Sequence, residues 1–128
     1  MNPMLRCALL IAALASPFAA TPQVARPFPA DALRAELQVL AAPDVLIAGK
    51  PARLSPGARI RGENNLLAMP GELVGKRLLV HYTREADGFV KDIWVLNAAE
   101  RAIKVWPNTP EQAARWQFDM ATQTWSKP

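Results

Sequence analysis

The sequence predicts a mainly β protein, a small antiparallel barrel or sandwich of five to seven strands completed by a short C-terminal helix and a docked tail. Three observations carry this reading. Short runs rich in Val, Ile, Leu and aromatic residues recur at close intervals, each bounded by Gly, Pro, Asn or Asp. Asp87-Gly88 lies between two of them, RLLVHYTR and FVKDIWVL, and Asp-Gly at a strand junction is a strong hairpin signal. The length of 128 residues, 51% of them hydrophobic and 20% charged, allows one packed domain and argues against wholesale disorder.

Residues 1–20, MNPMLRCALLIAALASPFAA, have the order of a secretory signal peptide. Arg6 is the only charge, a nine-residue apolar run spans residues 7–15, and small residues with a proline follow. A bilayer-spanning helix needs about 20 apolar residues, so this run is too short to be one. Cleavage is expected near Ala20. Cys7 stands after Arg6 and before the apolar run, the wrong place for a lipidation cysteine, and would leave with the signal. The mature chain then has no disulfide and no thiolate metal site. Its charge falls from +4 to +3 with the loss of Arg6.

Residues 21–30, TPQVARPFPA, hold three prolines and read as an extended arm. The barrel is expected over residues 31–97. Its first segment, DALRAELQVL, carries two periods at once. Leu33, Leu37 and Leu40 have helical spacing and the composition favours a helix, whereas alternation with Arg34, Glu36 and Gln38 favours a strand. From residue 44 onward the β pattern is clearer. Val45-Leu46-Ile47 and Pro51-Ala52-Arg53-Leu54 flank a turn with Gly49, Ser55-Pro56-Gly57 reads as a second turn and Gly62-Glu63-Asn64-Asn65 as a third. Residues 77–96 form the hairpin around Asp87-Gly88.

Residues 98–128 read as a C-terminal helix and an aromatic tail. Asn97 with Glu100 has the capping-box pattern, and Thr109-Pro110 marks a second helix start. Trp116, Phe118 and Trp125 are too much aromatic surface for a loose end, so the tail is expected to pack on the barrel.

The chemistry is restricted by the counts: one His, one Cys and three Ser. His81 lies mid-strand. A four-residue hairpin loop sets it opposite Asp92, a pairing suited to base catalysis, and a three-residue loop with a bulge sets it opposite Ile93. No serine lies nearby in sequence, so no catalytic residue is assigned. One His cannot furnish a zinc or copper site, and neither a metal nor another cofactor is expected. Gly71-Glu72-Leu73-Val74-Gly75-Lys76 has the wrong spacing for a phosphate loop. Arg59 and Arg61 share one strand face. With Arg53, Lys76, Arg77 and Arg84 nearby, and Tyr82 or Trp94 exposed beside them, they would form a binding surface where aromatics stack and cations attract anions. Trp116, Phe118 and Trp125 are the alternative interface residues.

The segment PGARIRGENNLLAMPGELVGKRLLVHYTREADGFVKDIWVL, with WPNTPEQAARWQFD and the terminal TWSKP, resembles a group of uncharacterised short exported proteins of proteobacteria. More loosely, residues 33–96 are similar to small OB-like periplasmic barrels. The shared positions are turn and core residues, so the resemblance implies a fold and an address and carries over no functional residue. The expected role is a non-catalytic binding or accessory protein of the cell envelope, periplasmic or secreted. Its partner would be an envelope protein or an anionic polymer, since an exported protein rarely meets nucleic acid. A structural subunit docking through its aromatic tail, and a hydrolase using His81, are the alternatives.

Overall fold

The structure is a computed structural model that describes residues 26–128. The signal segment, Cys7, the cleavage point and the first half of the arm lie outside them. The described chain is mainly β, in the order β1 (Leu33–Ala41), β2 (Asp44–Ile47), β3 (Lys50–Arg61), β4 (Leu67–Ala68), a 3-10 helix (Pro70–Leu73), β5 (Arg77–Arg84), β6 (Val90–Val95), α1 (Ala98–Ala102), α2 (Pro110–Arg115), β7 (Gln117–Asp119) and β8 (Thr124–Ser126).

The first six strands form one sheet in the order β2-β1-β5-β6-β3-β4, with a further pairing of β2 to β3. Neighbours pair antiparallel except β3 and β6, which are parallel. The long β3 is shared. Residues 50–53 pair with β2, while Leu54 and then residues 59–61 pair with β6. The sheet therefore curls strongly, but it is not a closed barrel. Its β3–β6 ladder is interrupted between Leu54 and Arg59, and the two-residue β4 remains as an edge.

Alternation along the strands sorts side chains onto two faces. One row, Leu33–Tyr82–Ile93–Ile60, crosses β1, β5, β6 and β3 and points into the buried core with Leu37, Val80 and Val45. The next row, Arg34–His81–Trp94–Arg61, points to the opposite face. That face is not left to solvent. The arm and the last thirty residues lie over it and build a second apolar cluster from Phe28, Ala32, Leu96, Trp106 and Trp125, with Trp116 and Phe118 at its margin.

Trp106 is the hub of this layer. Its ring stacks on His81 at 4.0 Å between centroids and meets Phe28, Phe118 and Trp125 edge-on at 5.7, 5.7 and 5.9 Å. The indole N–H donates to the Ala32 carbonyl at 2.9 Å, so its polar end is satisfied inside the cluster. The tail closes as a small hairpin in which Phe118 pairs with Trp125 across the ladder, their rings stacked at 4.7 Å.

The structure settles one open expectation and corrects others. In the ambiguous segment 31–41 the strand reading holds: Leu33–Ala41 form β1, whose alternation puts Leu33, Leu37 and Val39 inside and Arg34 under the cover. Ser55-Pro56-Gly57 is no turn. β3 runs through it, and Pro56, which has no N–H to donate, falls where the ladder to β6 is interrupted. The C-terminal region holds two short helices and a hairpin rather than one helix. Both helix starts are capped as their sequences suggest: Asn97 and Glu100 form a complete capping box, and Thr109 accepts from Gln112 N–H. Among the described residues no helix is long and apolar enough to cross a membrane.

Trp106 is 4% exposed and touches both the arm and the tail. Trp106→Ala is expected to lower the unfolding free energy by about 3–5 kcal/mol in a urea titration. A loss under about 1 kcal/mol contradicts the hub role.

Candidate functional site

Two polar constellations compete for the site, one sealed and one open. The sealed one lies between the sheet and its cover. Arg26 enters from the arm and donates to Glu100 of α1 through Nε at 2.9 Å and through Nη2. Its remaining N–H groups reach the Gly62 carbonyl at 2.9 Å and the Val95 carbonyl at 2.8 Å. Arg34 of β1 donates from Nη2 to the Glu100 carbonyl at 3.1 Å, from Nη1 to the Ile103 carbonyl, and from Nε to His81 Nε2 at 3.2 Å. Burial lowers the Arg34 pKa and Glu100 offsets part of that, so the guanidinium stays charged.

His81 is 1% exposed. A guanidinium has only donors, so Nε2 accepts and the imidazole proton sits on Nδ1, which has no hydrogen-bond partner. Burial, then the charges of Arg34 and Arg26, push the His81 pKa down to about 2. The ring is neutral at every physiological pH and walled by Trp106 and Phe28. A general base must reach the proton it abstracts, and this one reaches no open surface. Neither expected hairpin register holds: the loop spans residues 85–89, and His81 stands opposite Trp94 rather than Asp92 or Ile93.

The expected basic face is divided. Arg59 and Arg61 do share a face of β3, beside Asp92 and Trp94 of β6. Arg77 and Arg84 lie at opposite ends of β5, about 23 Å apart along the strand. Tyr82 is not exposed; it belongs to the inner core, and Arg84 covers its ring at 5.5 Å while donating to the Gly88 carbonyl. Trp125 is buried and Trp116 and Phe118 are half-buried on the chain's own outer sheet face.

The open constellation is a groove of about 500 Å³. Three stretches far apart in sequence line it: Ala42-Pro43 in the β1–β2 turn, Arg53 to Pro56 in β3, and Phe89 at the end of the β5–β6 loop, with Pro70 closing one side. Its walls are proline rings and a phenyl ring. Its polar edge is Ser55, whose hydroxyl meets the Glu85 carboxylate at 3.2 Å, and Arg53, in a surface ion pair with Asp44 at 3.3 Å. Such an exposed pair is worth at most about 1 kcal/mol, so Arg53 is readily redirected to a ligand. A second groove of about 440 Å³ runs between Tyr82 and Arg84 on one side and Asp31 and α2 on the other. Sequence reading found Tyr82 and Arg84 but not the first groove. Pro43, Pro56, Pro70 and Phe89 have no shared spacing, and only the curl of the sheet brings them together.

Below pH 6.5 the unfolded chain protonates His81 and the folded chain does not, so stability falls as pH drops from 6.5 towards 2 and is complete above 6.5. The expected slope approaches about 1.4 kcal/mol per pH unit within that range, from about one pH unit below 6.5 downward, and is missing in His81→Gln. The His81 ring signals in NMR should hold still between about pH 5 and 8; a titration near 6.5 contradicts the sealed site. No protein-family model matches the chain, and comparison with curated proteins and with solved structures finds no match to either.

Proposed function

We propose that this chain is an exported, non-catalytic binding or accessory protein of the bacterial cell envelope, built on a partly open OB-like barrel and akin to the short exported proteins it resembles. The fold reading rests on the pairings. β1, β2, β3, β6 and β5 pair in turn, β5 pairs back onto β1, and the parallel β3–β6 contact marks a chain that crosses over rather than meanders. OB-like barrels receive ligands on the face of their second and third strands and the loops beside it. The Pro43–Phe89 groove, lined by the β1–β2 turn, part of β3 and the end of the β5–β6 loop, supports this reading.

The observation that carries the functional reading is the contrast between the two constellations. The one histidine is shut away as a neutral packing residue, and the open groove presents prolines, Phe89 and Arg53. A groove of rigid apolar walls with a cation at its edge is suited to an extended segment of a protein partner or to an acidic polymer chain. Docking through Trp116, Phe118 and Trp125 has less support, because those rings pack on the chain's own sheet. Hydrolysis by His81 has less support again, because nothing reaches it.

The test begins with the chain recovered from the periplasm of an expressing bacterium, its N-terminus expected near Thr21. The 15N-labelled protein is then titrated with a proline-containing peptide and, separately, with a uronic-acid polymer. Shifts should concentrate at Arg53, Ser55, Ala58 and Phe89, and Phe89→Ala should weaken binding roughly tenfold. Retention in the cytoplasm with an intact leader removes the export proposal. Shifts confined to other surfaces, or none with either probe, remove the groove.

A further inference from the structure

We propose that the tip formed by residues 66–74 inserts into the headgroup region of an anionic lipid bilayer, holding the protein reversibly at a membrane surface. This is a different surface from the sealed polar site, and it touches the open groove only through Pro70.

Eight large hydrophobic side chains are exposed among the described residues. Phe89, Ile103 and Met120 stand singly, which is ordinary for a soluble surface. The other five fall within one short stretch of chain and the strand bridged to it. Leu66, Leu67 and Met69 are each 66% exposed within four residues, Val74 follows after the 3-10 helix, and the bridge between Val39 and Val74 brings Leu40 alongside. Contiguous exposed apolar surface marks an interaction site.

The tip is built, not frayed. Gly62 N–H donates to the Leu66 carbonyl at 2.8 Å, Leu66 N–H donates to the Asn64 side chain at 3.0 Å, and Asn65 takes the left-handed conformation at φ 67° that closes the turn. β4 then pairs Ala68 with Ile60 and Leu67 with Arg61.

Ala68 packs toward the inner core, while Leu66, Leu67 and Met69 stand exposed around it. The charge around these residues chooses a bilayer as the occupant, because the flanks are cationic. Arg59 and Arg61 precede the tip, Lys76 and Arg77 follow it, and none of the four is in an ion pair among the described residues. Of the two intervening carboxylates, Glu63 is engaged by Arg101 at 3.3 Å and Glu72 stays free. Apolar side chains flanked by lysine and arginine match the bilayer interface, where acyl chains lie beneath anionic headgroups.

The experiment is vesicle flotation of the chain from residue 21 onward. This piece holds every described element and leaves out the apolar run of residues 7–15, which would bind lipid by itself. Vesicles of phosphatidylethanolamine with phosphatidylglycerol are compared with vesicles of phosphatidylcholine. The protein should float with the anionic vesicles only. Binding should fall roughly tenfold in Leu66→Ser/Leu67→Ser/Met69→Ser and, separately, in Lys76→Glu/Arg77→Glu. Thermal unfolding confirms that each variant is folded, and the second leaves the tip untouched should the first not fold. Absence of flotation with the anionic vesicles overturns the proposal. So does flotation that neither variant weakens, or a dimer that the triple variant abolishes while lipid binding stays nil.

Discussion

Arg26 and Glu100 form a buried ion pair that ties the start of the described chain to the first helix across the outer face of the sheet. Removing two charges from water is costly unless every hydrogen-bonding position finds a partner. Here they do so to an unusual degree. One Glu100 oxygen accepts from Arg26 and from Asn97 N–H, completing the capping box of α1, and the other accepts Arg26 Nε. The remaining Arg26 donors are taken by carbonyls of β6 and of the β3–β4 turn. A buried pair of this kind adds little net stability over a well-packed apolar substitute, but losing one partner is costly, on the order of 3–5 kcal/mol. Its consequence is geometrical: it sets the depth and position of the whole cover.

The cover determines what the molecule has left to work with. Arg34 runs from β1 to the same helix, His81 fills the space beneath, and Trp106 closes over both. An outer sheet face that would otherwise be a broad binding surface is consumed by the chain's own ends. What stays open lies at the rims: the groove at Pro43 and Phe89, the smaller groove beside Arg84, and the exposed apolar residues around β4. The same displacement explains why Arg59, Arg61, Arg77 and Arg84 form no single patch. Two are on the covered side of the sheet near its edge, and two are at opposite ends of β5.

Most local signals in the sequence hold, with Ser55-Pro56-Gly57, which is strand and not turn, as an exception. The Gly49, Asn65 and Gly88 turns, the capping box at Asn97 and the Thr109-Pro110 start all follow from side chains acting on backbone a few residues away. Composition and turn residues identified strands from residue 44 onward, though not that Tyr82 faces inward. Two kinds of feature stayed hidden. Register was one: a five-residue loop and an irregularity between Tyr82 and Arg84 together set His81 opposite Trp94 rather than Asp92 or Ile93. The other was the second layer. An arm with three prolines carries no period, yet Phe28 reaches Trp106 from 78 positions away, and Gln123 anchors the Phe28 backbone from 95. Aromatic content hinted that the tail docks, but not that it docks over the histidine.

The central claim is that one ion pair holds the cover down as a unit. Amide hydrogen exchange on the chain and on Arg26→Met tests it most directly. Loss of the pair should lower protection together at Ala32, Arg34, Leu96 and the Trp106 indole N–H, while Leu37 and Ile93 in the inner core keep theirs. If exchange rises only at residues 27–31, the arm is an independent appendage and the account of the cover is wrong.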